Sequence, residues 1–227
     1  MKAIFKKELK SYFLSPIGYV VIGMFLLCFS LFFYLTVWQS GRVDLGYLYY
    51  NTAVYGLIII VPILTMRMFA EERKNGTEQL LLTSPTGMAK VVIGKLMAAL
   101  TVVLITLLVS IIFFIIVSFF GEPNIVSTLI AMFGFILISV SALSVGMFAS
   151  SLTENQIIAG VITVAFLIIS LFIADVSSIF SGFTLINFYT SFAQGIIALE
   201  DVISLILFSL VFISLTIIVM QRRKLVK

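Results

Sequence analysis

The side chains that could do chemistry in this chain are few, and the most reactive types are almost absent. The sequence contains no histidine and a single cysteine, Cys28, which lies in an apolar run. Without histidine there is no Ser-His-Asp triad, no imidazole proton relay and no histidine-ligated zinc. The phosphate-binding pattern GxxxxGK(S/T) is not matched, because Gly94-Lys95 is followed by Leu96 and lacks the upstream glycine. The sequence therefore predicts no catalytic residues, no metal site and no ATP site of its own.

Most of the chemically interesting side chains lie in one charged segment, Arg67 to Lys95, which reads RMFAEERKNGTEQLLLTSPTGMAKVVIGK. Its acidic and basic residues 71–74 are expected to continue the preceding helix into water. Asn75-Gly76 predicts the end of that helix, because glycine tolerates the left-handed conformation of a helix C-cap.

A second short helix is predicted directly after this stop. Thr77 can cap it, and the helix then carries three leucines, Leu80 to Leu82. Ser84-Pro85 predicts the end of this helix and the start of the next. The leucines either fold back onto neighbouring helices of the same chain or fill a groove on a soluble partner.

The N-terminal segment 1–15 reads MKAIFKKELKSYFLS and has the pattern of an amphipathic helix. Its apolar positions follow at i, i+4, i+7 and i+8, and they are Phe5, Leu9, Tyr12 and Phe13. The lysines lie mostly on other sides. We expect a basic helix along the inner leaflet with its apolar face in lipid. It serves either as a plain anchor or also as a partner contact.

The rest of the chain must position these segments, and its composition requires a membrane. Of 227 residues, 62% are hydrophobic and 11% are charged, against about 25% charged in a soluble domain. A spanning helix needs about 20 apolar residues. Seven uncharged runs have that length. The run 176–199 is rich in Ser, Thr, Asn and Gln, so the sequence predicts six spans and short helices at one face.

Charge placement supports six spans with both termini in the cytoplasm. This topology puts every Lys and Arg except Arg42 on the inner side. Seven spans would move the basic cluster 222–224 outside, against the positive-inside rule.

The spans themselves hold no ionisable residue near their centres. This argues against an ion-coupled carrier and against an intramembrane protease. Small residues in the fourth span predict close helix packing, namely Ser139, Ser141, Ala142, Ser144 and Gly146. Pro62 predicts a kink in the second span.

The segment FAEERKNGTEQLLLTSPTGMAKVVIGKL, Phe69 to Leu96, closely resembles the signature loop of ABC-2-type transporter permeases. That loop has an acidic-basic stretch, Gly-Thr, a Glu, a leucine run and Thr-Ser-Pro. The segment FKKELKSYFLSPIGYVVIGMFLL, Phe5 to Leu27, is similar to the opening of small members of the family, including those of gliding motility and nitrous-oxide-reductase maturation. A weaker likeness covers Ser151 to Ala159.

The resemblance implies a role for each of these segments. Met1 to Ser15 would be an interfacial connecting helix, and Thr77 to Ser84 a coupling helix in a groove of an ATPase subunit. The region 176–199 would form outer re-entrant helices. The implied coupling residues are Glu71, Glu72, Gly76, Thr77, Glu78, Gln79, Leu80, Leu81, Leu82, Thr83, Ser84 and Pro85. The implied residues of the interfacial helix are Phe5, Lys6, Glu8, Leu9, Tyr12 and Phe13.

We therefore predict an all-α integral membrane protein with a single ABC-2-type transmembrane domain over residues 1–227. The predicted segments are an interfacial helix at 1–15, spans at 17–38, 52–69, 96–119, 127–149, 157–174 and 203–220, a coupling helix at 76–85 and outer short helices at 176–199.

The predicted function is that of a permease subunit in an ATP-binding-cassette exporter of a bacterial plasma membrane. Its substrate would be amphipathic, lipid-like or a peptide. Its partners would be an ATPase subunit, which carries ATP and Mg, a second permease, identical or homologous, and membrane lipid, but no nucleic acid. The alternative is an ion-coupled carrier or scramblase-like protein that works without an ATPase.

Overall fold

The computed structural model describes residues 1–39, 41, 44–82, 86–176 and 184–226, and every regular element in these ranges is helical. The side chains of 81, 82, 173–176 and 226 lie outside this description. The helices are α1 (Lys2–Leu14), α2 (Ile17–Phe33), α3 (Leu45–Asn51), α4 (Leu57–Thr65), α5 (Ala70–Lys74), α6 (Glu78–Leu82), α7 (Met88–Ser118), α8 (Ile125–Leu152), α9 (Gln156–Val176), α10 (Asn187–Ala193) and α11 (Leu199–Val226). Two π-helical turns, Tyr34–Trp38 and Thr52–Gly56, extend α2 and join α3 to α4.

Five helical stretches of the described residues are long and apolar enough to cross a bilayer. They are Ile17–Trp38, Leu45–Lys74, Met88–Ser118, Ile125–Leu152 and Leu199–Leu225. Helix α9 is a further apolar helix of 21 residues, whose side chains are described as far as Phe172. The fold class predicted from the sequence, an all-α integral membrane protein, is confirmed. The number of six spans stays a prediction.

The helices are longer than the apolar runs that predict them. The second stretch begins at Leu45 rather than at 52 and continues to Lys74, and α7 begins at Met88 rather than at 96. Hydropathy marks the part of a helix that suits lipid, whereas backbone hydrogen bonding continues past that boundary. These extensions bring charged turns together at one end of the bundle.

Helix α8 lies at the centre and packs against α4, α7, α9, α10 and α11. The predicted small residues of the fourth span are all buried, which confirms close packing. A Cβ atom on Gly146 would lie 2.8 Å from Cβ of Thr65 in α4. The hydroxyl of Ser141 donates to the carbonyl of Leu205 in α11 at 2.9 Å.

The apolar face of α1 packs in part against the protein itself, so lipid is not the only apolar surface that it contacts. Tyr12 is buried, and Phe5, Leu9 and Phe13 are partly buried against the core. Helix α7 starts early and presents Gly94, where an added Cβ would lie 3.3 Å from Ile4. Because α7 extends beyond its apolar run, it offers α1 a protein surface as well as lipid.

Candidate functional site

A cluster of charged side chains joins α1, α5 and α7 at one end of the bundle. We call this end the basic end; it is formed by α1, α5, α6, the first turns of α7, the last turn of α8 with the loop after it, and the last turns of α11. At its centre lies Lys95 of α7, which is only 1% exposed. Its Nζ lies 2.9 Å from Glu8 Oε1 of α1 and 2.9 Å from Glu72 Oε2 of α5. The ammonium also lies 5.3 Å from the ring centroid of Phe69. A buried charge is tolerated only when it is paired in this way.

The prediction that residues 71–74 extend into water is therefore wrong for Glu72. Its side chain is 13% exposed and lies against Lys95, and Lys7 of α1 approaches the same carboxylate at 3.4 Å. The physical reason is the early start of α7, which places Lys95 beside α5. Sequence hydropathy contains no information on such a pairing.

A second set of contacts fixes Arg67, which lies in the turn between α4 and α5. Its Nε lies 3.0 Å from Glu71 Oε2. Its guanidinium also donates to the hydroxyls of Ser15 at 3.3 Å and Ser11 at 3.4 Å in α1. A polar cavity of about 160 Å³ lies between α1 and α5. It is lined by Lys7, Glu8, Ser11, Arg67, Met68, Glu71, Glu72, Asn75, Thr77 and Lys95. A cavity with this many charged walls has the polarity and the room that ordered water needs.

Tyr12 joins α1 to the end of α4 on the other side of the same cluster. Its hydroxyl donates to the carbonyl of Leu64 at 2.9 Å. Burial raises the pKa of Tyr12 well above its usual range, and the nearby Glu8 carboxylate raises this pKa further. The hydroxyl therefore keeps its proton and stays a donor at any physiological pH.

The predicted coupling segment begins as the sequence indicates. Gly76 has φ +70°, and the amide of Asn75 donates to the carbonyl of Glu71, so the helix ends at the predicted stop. Helix α6 then covers Glu78–Leu82. The hydroxyl of Thr77 donates to the carbonyl of Glu72 at 3.2 Å, so it ties α6 back to α5.

The side chains of this segment differ in exposure. Leu80 is 72% exposed and Gln79 is exposed, whereas Glu78 is buried and its Oε1 lies 3.1 Å from Arg223 of α11. The family resemblance implies a coupling role for Glu78, and in the structure its carboxylate holds the segment to the last helix of its own chain. The side chains of Leu81 and Leu82, and the whole of Thr83, Ser84 and Pro85, lie outside the described part of the chain.

Of the predicted interfacial residues, only Lys6 faces outward. It is exposed, while Glu8 and the apolar residues of α1 contact other helices.

Three residues of the basic end were missed from the sequence: Ser150, Glu154 and Arg223. Arg73 of α5 lies 3.7 Å from Glu154 and donates to the carbonyl of Leu152 at 3.4 Å. The loop at 150–156, interpreted from the sequence as a plain turn, thus contacts α5.

At the opposite end of the bundle, α10 packs closely on α8 and α3. The hydroxyl of Tyr189 donates to the carbonyl of Ala131 at 3.0 Å. A Cβ on Gly134 would lie 2.5 Å from Phe192, so only glycine lets the two helices approach this far. A short helix in the predicted region 176–199 is therefore present, while residues 177–183 lie outside the described residues.

Comparison with known families agrees with this arrangement of long apolar helices and a charged basic end. Residues 2–184 match the family model described as ABC-2 family transporter protein. A comparison with curated proteins gave no match. The matched region contains the interfacial helix, the charged segment 67–95 and the central helix α8. Because the match covers most of its length, the chain belongs to the ABC-2 family of transporter proteins.

Proposed function

We propose that this chain is the membrane subunit of an ATP-driven exporter, with the basic end in the cytoplasm. A separate ATPase subunit docks at the coupling segment 76–85, and a second permease subunit completes the path through the membrane. ATP and Mg are held by the ATPase. The substrate is amphipathic, lipid-like or a peptide.

One observation carries the docking assignment. Within the coupling segment the acidic side chain is turned inward, since Glu78 is buried against Arg223, while Leu80 is 72% exposed. A leucine presented to water on a short helix beside a charged cluster suits a groove on a soluble protein. Family membership supports the kind of partner, because ABC-2 permeases work with an ATP-binding subunit.

The first test is isolation of the tagged chain from its native membrane in mild detergent. We expect a soluble protein that carries GxxxxGK(S/T) to be recovered in about equal amount. Recovery of the chain alone, with substrate movement in liposomes that needs no ATP, would support a carrier or scramblase instead.

A substitution tests where the ATPase binds. We expect Leu80→Asp to remove the ATPase from the isolated complex, because it puts an unpaired carboxylate into an apolar groove, where burial is costly. Leu152→Asp is the matched control, since Leu152 is also an exposed leucine, 46% exposed, at the end of α8. Both variants should elute as folded protein from a sizing column. If the ATPase stays bound to Leu80→Asp, the docking assignment is wrong.

A further inference from the structure

The second long apolar segment is interrupted where it leaves the bundle. Helix α4 ends at Thr65 and α5 begins at Ala70, with a turn at 66–69. The amide of Met68 donates to the carbonyl of Thr65 at 3.0 Å, which is one residue tighter than the α-helical pattern. Phe69, at the start of α5, has φ −120° and ψ −35°, outside the helical region. We call residues 66–69 the joint.

The hydroxyl of Ser150 in α8 is inserted into the joint. It accepts from the amides of Phe69 and Ala70, each at 3.1 Å, and donates to the carbonyl of Met66 at 3.2 Å. In a continuous helix the amide of Ala70 would bond that same carbonyl directly. The hydroxyl of Ser150 thus bridges an amide and a carbonyl that would bond each other directly in a continuous helix. Such insertions are a known cause of helix bends.

A second side chain takes the carbonyl that the tight turn leaves free. In a regular helix the amide of Met68 would bond the carbonyl of Leu64. Here that carbonyl accepts the hydroxyl of Tyr12 from α1 at 2.9 Å. Two neighbouring elements, α8 and α1, therefore satisfy the backbone groups that the joint does not satisfy itself.

The sequence of α8 explains why the hydroxyl can reach the joint. Gly146 lies one turn before Ser150 on the same face, since residues four apart are stacked along a helix. The absence of a side chain at Gly146 lets Thr65 pack directly on α8, as the close approach of its hydroxyl and Cβ to the glycine shows. Ser150 is completely buried, so its hydroxyl has no access to water and is committed to the joint.

The two sides of α5 are held in different ways. On the side of α8, backbone groups are bound directly at the joint. On the side of α1, the charged side chains of Lys7, Arg67, Glu71 and Glu72 reach around the polar cavity of about 160 Å³. Long charged side chains can exchange partners across such a space, whereas the contacts at Ser150 fix a single point.

From this geometry we infer that Ser150 is the pivot of the joint, a positioning residue about which the segment Ala70–Leu82 turns relative to α4. The pivot is a property of the chain alone. Its use in transport rests on the proposed function, in which the ATPase moves this segment.

Amide hydrogen exchange of the full chain in detergent or lipid nanodiscs tests the pivot. In the wild-type protein we expect the amides of Phe69 and Ala70 to exchange faster than those at the centre of α4, because the joint opens locally. In Ser150→Ala these two amides should exchange at least about tenfold faster again, since they lose their acceptor. Ser150→Cys, with a weak acceptor of similar size, should fall between the two.

Ser151→Ala is the matched control. Ser151 is also completely buried in α8, but its hydroxyl donates only to the carbonyl of Phe148 in its own helix. We expect exchange at Phe69 and Ala70 to be unchanged in this variant. If Ser150→Ala cannot be isolated, the wild-type comparison still decides: exchange at the joint as slow as in α4 overturns the pivot. Equal acceleration by Ser151→Ala would also overturn it.

A further experiment separates the pivot from the proposed function. In the isolated complex with its ATPase, a non-hydrolysable ATP analogue should change exchange in residues 66–74 and leave the centre of α4 unchanged. A complex that binds the analogue without any change at 66–74 would overturn the use of the pivot in transport and leave the proposed function standing. If no ATPase is recovered but the Ser150 series behaves as expected, the pivot stands and the function fails.

Discussion

At the residue scale, Lys95 is the side chain whose environment differs most from its expected one. The sequence predicts that Lys95 lies at the inner membrane interface, yet it is 1% exposed and lies between two carboxylates. The sequence around Lys95 does indicate burial, because the residues one helical turn before and after it are apolar. These residues, Val91, Val92, Ala98 and Ala99, are all buried. Its partner Glu8 is 87 positions away along the chain, and the sequence gives no distance between them.

We expect Lys95→Met to destabilise the protein strongly. Its removal leaves Glu8 and Glu72 close together with only the exposed Lys7 beside them, and breaking a buried ion pair typically costs about 3–5 kcal/mol. The melting temperature in detergent should therefore fall by several degrees. Lys90→Met is the matched control, since Lys90 is exposed in the first turn of the same helix and its replacement should leave the melting temperature nearly unchanged.

A triple variant shows whether Lys95→Met destabilises the protein through lost charge pairing or through lost packing. Adding Glu8→Gln and Glu72→Gln to Lys95→Met removes the unpaired carboxylates, so part of the melting temperature should return. If the triple variant melts no higher than Lys95→Met alone, the cluster stabilises the protein by packing rather than by charge.

At the element scale, the end of a helix is predictable from the sequence where it depends on the residues of that helix. It is not predictable where it depends on contacts with another helix. Gly76 ends α5 as expected, with φ +70°, because that stop depends on glycine itself. The interruption at 66–69 was not predicted. Its backbone groups are bound by Ser150, a residue of another helix, whereas Pro62, the predicted site of a kink, lies earlier, within α4.

Replacement of glycine by alanine should have opposite effects on the melting temperature at Gly134, where α10 packs on α8, and at Gly23 in α2. Gly134→Ala should lower the melting temperature, because its Cβ would lie 2.5 Å from Phe192 and 2.9 Å from Tyr189. Gly23→Ala, in the middle of α2, meets nothing within 4 Å and should raise it slightly, since alanine favours a helix by about 0.5–1 kcal/mol over glycine. A rise in both variants would show that α10 does not depend on close contact at Gly134.

At the scale of the whole molecule, the sequence predicts the membrane architecture better than it predicts the basic end. Apolar runs and charge asymmetry identify the long helices, since the bilayer acts on each helix separately. The basic end is built from residues of α1, α5, α6, α7, α8 and α11, and its contacts join positions that are far apart in the chain. The pair Arg223–Glu78, for example, joins the last helix to the coupling segment across 145 positions.

The number of crossings depends on α9, and cysteine labelling can determine it. Five helical stretches of the described residues are long and apolar enough to cross, and α9 is a helix of 21 residues whose side chains are described as far as Phe172. If α9 crosses the bilayer, Lys90 and Arg222 lie on the same side, and Glu122 lies on the opposite side. If α9 does not cross, Arg222 lies on the side of Glu122. We expect six crossings, because only these keep the basic residues after α11 together with those of the basic end.

The experiment uses single cysteines in a Cys28→Ala background and a membrane-impermeant maleimide on intact cells. Lys90, Glu122 and Arg222 are all exposed, so each introduced cysteine is accessible to the reagent on its own side. We expect Glu122→Cys to be labelled in intact cells, and Lys90→Cys and Arg222→Cys only after permeabilisation. Labelling of Arg222→Cys together with Glu122→Cys would contradict six crossings. The contact of Arg223 with Glu78 in α6 places the end of α11 beside the coupling segment, which supports this expectation.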